Sequence, residues 1–165
     1  MSRIWLLVSW LVATSFPGIA LAQSAPNLVG TWRLVSVKST AVSGQVNPAA
    51  FGEHPTGFAT FTSEGRMTLI MCDDARKPLS IVDRVSAPVE ERAQAFATFV
   101  AYAGRYTFTG DKVVFHIEAA SIQNWVNTDL TRLVTFQNDR VSLRTMTTLK
   151  GGVFQTIETI WQRVS

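Results

Sequence analysis

The chain has 165 residues, of which 47% are hydrophobic and only 16% are charged, whereas about a quarter are charged in an ordinary globular domain. This composition argues against long solvent-exposed helices and disorder, and a net charge of +3 without a basic run makes nucleic acid an unexpected partner. The single Cys excludes an intrachain disulfide. Two His and one Cys cannot supply the usual zinc ligands without added carboxylates, so we expect no cofactor or metal.

The N-terminal segment has the pattern of a secretory signal peptide. A positive start at Arg3 precedes an apolar run, and Pro17 interrupts it before the roughly 20 apolar residues that a membrane-spanning helix needs. Small residues then fit the positions that a signal peptidase reads, so we expect a signal peptide over 1–22 and a mature domain over 23–165. This pattern predicts a periplasmic or secreted protein, and no later stretch is long enough to cross a membrane as a helix.

The mature chain is a succession of segments in which apolar and polar residues alternate, separated by turn residues. Hairpin-length links join nearly all of them, which favours an all-β fold: an eight-stranded up-and-down antiparallel barrel, because closure leaves no exposed sheet edge. The interior of such a barrel is either filled by side chains or able to hold one small ligand. The eight predicted strands cover 28–38, 56–62, 66–72, 104–109, 112–119, 129–136, 140–149 and 153–164.

The segment between the third and fourth predicted strands has a helical pattern instead. Pro88 fits the first turn of a helix, and the acidic residues that follow it are favourable there. Apolar residues recur at helical spacing from Val89 to Val100, and Gly104 ends the pattern, which predicts a helix of about 15 residues. We expect its apolar stripe to plug or cover one end of the barrel.

Several short motifs resemble the bacterial lipocalin-like domain family, which has a calycin-type barrel. Gly30-Thr31-Trp32 begins the first strand, and Arg163 follows Trp161 by two positions in the last. In lipocalins such a Trp closes one end of the barrel, and an Arg from the last strand packs across it. Members of the family often carry two adjacent histidines in the fifth strand, and Phe115 stands at the first of these positions here. Further matching pieces extend the resemblance over 28–164: Pro55-Thr56-Gly57, Glu64-Gly65-Arg66-Met67, Tyr102-Ala103-Gly104-Arg105-Tyr106, His116-Ile117-Glu118, Asn124-Trp125 and Arg132.

His116 and Glu118 are candidate site residues, and they share one face of the fifth strand because they lie two positions apart. A two-residue turn at 110–111 would pair Arg105 with His116 and send this less apolar face to solvent. A three-residue turn would instead place Tyr106 on the face of His116. The register decides between these arrangements, and our working hypothesis is that His116 and Glu118 point inward.

Under this hypothesis His116, Glu118 and Arg132 form the polar end of a mostly apolar pocket, with Tyr106 inside it and Trp125 near its mouth. A neutral ligand would accept or donate hydrogen bonds at His116. An anionic ligand would use Arg132, because a charge embedded in an apolar strand needs a partner.

We therefore expect a protein that binds a small apolar or amphipathic molecule, without catalysis. A packed barrel with a structural or protein-interaction role is the alternative, and a small isomerase, cyclase or hydrolase that uses His116 and Glu118 is less favoured. No nucleotide-binding, hydrolase or metalloprotease motif is present. Cys72 is interpreted as a buried small hydrophobe and the pair Asp73-Asp74 as turn residues; the oligomeric state stays open.

Overall fold

The barrel closes because its first long strand pairs with its last. A computed structural model describes residues 27–150 and 152–164, so the signal peptide predicted over 1–22 lies outside the described residues. Within them ten antiparallel strands form one sheet, and β1 pairs with both β3 and β10. The strands are β1 (Gly30–Ala41), β2 (Val46–Asn47), β3 (Thr56–Phe61), β4 (Arg66–Cys72), β5 (Phe99–Phe108), β6 (Lys112–Ala120), β7 (Asp129–Gln137), β8 (Arg140–Thr145), β9 (Thr148–Lys150) and β10 (Val153–Arg163).

Eight long strands make the closed antiparallel barrel, which confirms the predicted fold. The two short strands are additions to it, since β2 pairs only with the end of β1 and β9 only with the start of β10. The predicted seventh strand, 140–149, is divided into β8 and β9.

The two ends of the barrel differ in their connections. At the closed end, the short turns 62–65, 109–111 and 138–139 join consecutive strands, and the start of β1 meets the end of β10. At the open end lie the long connections 42–55, 73–98 and 121–128. The closed half of the interior is packed, because the alternating inward residues there include large side chains that are at most 2% exposed: Trp32, Phe61, Phe115 and Trp161.

The helix α1 (Val89–Ala97) follows the third long strand as predicted, but it is shorter than the pattern indicated. Val100, assigned to the helical stripe, lies in β5 and pairs with Met71 of β4. None of the helix residues is buried, and Val89 and Phe96 are 64% and 57% exposed. The helix therefore does not plug the barrel, since the strand pairing with β4 takes up the residues that would have lengthened its apolar face, but Phe96 and Ala97 lie at the open end.

The register of β5 and β6 follows from a two-residue turn at Gly110 and Asp111. Gly110 has a φ of 99°, and Thr109 N–H donates to the carbonyl of Lys112 at 2.9 Å. The pairing places Arg105 opposite His116 and Tyr106 opposite Phe115. The more apolar face of β6 therefore points inward, and the face of His116 points outward.

Candidate functional site

A cavity of about 660 Å³ occupies the open half of the barrel. This size is within the range of about 300 to 1,000 Å³ that is usual for small-molecule sites. Three exposed apolar side chains stand at its mouth: Phe96 of α1, and Met146 and Leu149 beyond β8. Its wall is mainly apolar and includes Phe51, Val100, Ile122, Trp125, Leu130 and Ile157.

Arg132 is the cationic group in the wall of this cavity. It is paired with the fully buried Val113 across the β6–β7 ladder, so its side chain points inward, as predicted. Its guanidinium carbon lies 6.0 Å from the centroid of the Phe115 ring, and Nη1 donates to the carbonyl of Thr131 at 2.9 Å. Among the described residues, no carboxylate lies within 4 Å of this guanidinium.

Tyr102 lies beside Arg132 and was not among the predicted site residues. Burial raises the pKa of its phenol, while the charge of Arg132 and a hydrogen bond with it act in the opposite direction. The phenol therefore stays neutral and able to donate at physiological pH. Val100, Tyr102, Gly104 and Tyr106 are alternate residues of one strand, and this pattern could have predicted that Tyr102 points inward. The interpretation of 89–100 as a helix prevented that prediction.

Trp125 lies in the cavity wall near the mouth, as predicted. It belongs to a short 3-10 helix, Gln123–Trp125, in the connection between β6 and β7. Its ring makes an edge-on contact with Tyr102, with centroids 5.7 Å apart. The aromatic pair therefore connects the mouth of the cavity to the guanidinium below it.

The prediction that His116 points into the pocket is wrong. The two-residue turn puts it on the outer face of β6, where Nδ1 lies 2.8 Å from Asp129 Oδ1 and Nε2 lies 3.2 Å from Thr107 Oγ1. The inner face is taken by Val113, Phe115 and Ile117, because burying these three side chains stabilises the barrel more than burying an imidazole does.

Glu118 is also outside the barrel, which corrects the second inward placement. Its carboxylate binds Arg66 through two hydrogen bonds, at 3.0 and 2.7 Å, and accepts a third from Arg105 at 3.1 Å. The pKa of Glu118 is lowered mainly by the hydrogen bond from Arg66, and the positive charge of Arg66 and the hydrogen bond from Arg105 lower it further. His116 and Glu118 thus have separate partners and do not form an acid–base pair.

Tyr106 is inside the barrel but not in the cavity wall. Its hydroxyl donates to the carbonyl of Thr62 at 2.9 Å, and its ring packs edge-on against Phe61 with centroids 5.2 Å apart. Both partners lie at the closed end. The five predicted site residues therefore separate into two at the cavity, Arg132 and Trp125, one in the packed half and two on the outer surface.

The remaining candidate groups lie near the end of β4. Cys72 is half-buried rather than fully buried. The interpretation of the acidic pair as turn residues is confirmed, since Asp73 Oδ1 accepts from Ala75 N–H at 2.7 Å and Asp74 Oδ2 accepts from His54 N–H at 2.9 Å. Over the described part of the chain, no three His, Cys, Asp or Glu side chains converge as a metal site would require.

No helix in the described ranges combines the length and apolar character needed to cross a membrane. In a comparison with protein-family models, the model of a lipocalin-like domain matches residues 29–164. Neither the curated proteins nor the solved structures include a significant match. The family match covers both the packed half and the cavity.

Proposed function

Because this chain belongs to the lipocalin-like domain family, we propose that it binds a small, mostly apolar ligand in the cavity at the open end of the barrel. The observation that carries the proposal is the division of the interior into a packed half and an open half. Side chains fill the barrel around Trp32 and Trp161, whereas about 660 Å³ remains free beyond Arg132. An apolar cavity with few polar groups is the usual form of a small-molecule site.

The cavity favours ligand binding over the alternative of a packed barrel with a purely structural or interaction role. A filled barrel would bury its inward residues along the whole length of the strands. Here Leu130 and Ile157 face inward but are only partly buried, because both side chains line the cavity. The enzymatic alternative relied on His116 and Glu118 in the pocket, and both side chains lie outside the barrel.

The test is a titration of the mature protein with N-phenyl-1-naphthylamine, a neutral fluorophore that brightens in apolar surroundings. Ile157→Trp should reduce binding by filling the cavity, and Ile70→Trp on the outer face of β4 is the matched control. Both variants should first be shown to unfold cooperatively, because an added ring in a packed interior costs about 1 to 3 kcal/mol. Equal binding by the wild type and both variants would contradict the cavity as the site, as would no binding at all.

We also propose that the protein acts after export, in the periplasm or outside the cell. The support is the positive start, apolar run and small residues of the segment 1–22. N-terminal sequencing of protein from the periplasmic or culture fraction should begin at Gln23. An intact Met1 on the soluble protein would refute this proposal.

A further inference from the structure

We infer that the ligand is a monoanionic amphiphile, a carboxylate on an apolar chain, which enters with its charged end first. The carboxylate would meet Arg132 at the bottom of the cavity, and the chain would extend toward the mouth. This inference rests on the proposed ligand binding and adds the class and the orientation of the ligand.

The depth of Arg132 supports the orientation. The inward residues of β7 are Leu130, Arg132, Val134 and Phe136; the first two line the cavity, and the last two belong to or pack against the core. Successive inward positions on a strand are about 7 Å apart. Arg132 is therefore the last inward residue of β7 before the packed half, and a molecule that enters from the open end reaches it last.

The charges around the cavity support an anion. The acidic residue in the cavity wall is Asp129, whose Oδ1 lies 2.8 Å from Nδ1 of His116 on the outer side of the barrel. No described carboxylate lies within 4 Å of the Arg132 guanidinium. A partly buried guanidinium without an ion-pair partner is costly, and an incoming carboxylate would remove that cost with two parallel hydrogen bonds. One guanidinium balances one negative charge, which favours a carboxylate over a dianionic phosphate.

The mouth of the cavity is suited to the apolar end of such a ligand. Phe96, Met146 and Leu149 are 57%, 57% and 59% exposed around the opening. A chain that leaves the cavity between these side chains would cover apolar surface on both molecules. A ligand in the reverse orientation would instead place its carboxylate among these apolar groups and its chain against the guanidinium.

The ligand class can be tested by displacing N-phenyl-1-naphthylamine with dodecanoate, dodecanol and methyl dodecanoate. The wild type should bind dodecanoate more tightly than the neutral probes. Arg132→Gln should weaken dodecanoate about tenfold or more, which is about 1.4 kcal/mol, with little effect on dodecanol. Arg33→Gln, which removes the same charge from an exposed position on β1, should change neither.

Two further variants keep the test valid if Arg132→Gln folds poorly. Arg132→Lys retains the charge but not the planar pair of donors, so its loss of dodecanoate affinity should be smaller. Tyr102→Phe keeps the ring and removes only the hydroxyl beside Arg132, so it should weaken dodecanoate only through the position of the guanidinium. Equal affinity for dodecanoate and dodecanol in the wild type, unchanged in these variants, would overturn the inference.

The orientation can be tested with dodecanoate that carries a nitrobenzoxadiazole fluorophore on its last carbon. With the carboxylate at Arg132, the fluorophore should lie outside the mouth and stay accessible to iodide quenching, and binding should remain sensitive to Arg132→Gln. A fluorophore protected from iodide would mean that the tail enters first and would refute the orientation. Binding of the neutral fluorophore without preference for carboxylate would refute this inference alone, whereas failure of every probe to bind would refute the proposed function.

Discussion

The guanidinium carbon of Arg163 lies 4.1 Å from the centroid of the Trp32 ring, and the two residues are directly paired across β1 and β10. Arg163 also donates to the carbonyls of Val29 at 2.7 Å and Asn27 at 2.9 Å. One side chain therefore covers the closed end of the barrel and ties the segment before the first strand to the last strand. The structure thus confirms the seal that the sequence predicted from Trp32 and Arg163.

Trp32→Ala should lower the free energy of unfolding by about 3 to 5 kcal/mol, as truncation of a buried large aromatic does. Trp32 is 1% exposed, and its indole N–H donates to the carbonyl of Leu28 at 2.7 Å, so the substitution removes packing and leaves that carbonyl without its partner. Denaturant titration measures the change. Phe58→Ala, at a half-exposed aromatic on the outer face of β3, is the control and should cost much less.

Arg163→Gln should lower the free energy of unfolding by about 1 to 3 kcal/mol, because it removes the cation–π contact and the charge-assisted hydrogen bonds. Arg163→Lys should recover only part of this loss, since an ammonium cannot stack on Trp32 and reach two carbonyls with the same geometry. Arg33→Gln provides the matched loss of one positive charge on an exposed side chain. Identical unfolding curves for Arg163→Gln and Arg33→Gln would show that the seal does not stabilise the barrel.

Gly104→Ala should be strongly destabilising because of a β-bulge between β5 and β6. The register shifts there, so that Gly104 pairs with Ile117 and Ala103 with Ala119. A Cβ on Gly104 would overlap the carbonyl oxygen of His116, which is backbone and cannot rotate away. We expect a loss of at least about 2 kcal/mol, measured by denaturant titration.

The control for this substitution is Gly44→Ala, which adds a Cβ where no atom lies within 4 Å. Its cost should be about 1 to 2 kcal/mol from the φ of 89° alone. A smaller loss at Gly104 than at Gly44 would mean that the bulge can open to admit a side chain.

The ion pairs of Glu118 should contribute to stability at neutral pH and not in acid. Arg66 lowers the pKa of Glu118 from its ordinary value of 4.5, so the folded state favours the ionised carboxylate. This contribution is present above the pKa of the unfolded chain and disappears as the pH falls through the lower pKa of the folded state. Glu118→Gln should therefore be less stable than the wild type at about pH 7, and the difference should shrink as the pH is lowered through the pKa of the folded state.

Glu53→Gln, at an exposed carboxylate outside this cluster, serves as the control for the pH series. It should show no comparable change in the difference from wild type. A Glu118→Gln defect that persists undiminished in acid would show that the side chain stabilises the protein by packing rather than by its charge.

The sequence by itself determined the architecture. Alternation of period two between turn residues predicted the eight long strands, because a strand with one face on the core must alternate. The dipeptide Gly110-Asp111 was compatible with a two-residue turn, but the sequence left a three-residue turn open, and only the structure shows the two-residue turn that pairs Arg105 with His116. Arg132 was also placed correctly, since a charge within an apolar strand stands out wherever the strand lies.

Tertiary pairing decided what local patterns left open. Residues 96–100 fit a helical stripe, but hydrogen bonding of β5 to β4 makes Phe99 and Val100 part of a strand and places Tyr102 beside Arg132. His116 and Glu118 point outward because the barrel buries the face of β6 with more apolar area, which carries Phe115 and Ile117. Neighbouring residues on a strand point to opposite faces, so both sets cannot point inward. Whether the barrel is filled depends on which side chains meet across it from distant strands. No local pattern contains that information, so only the folded chain shows the packed end under Trp32 and the cavity above Arg132.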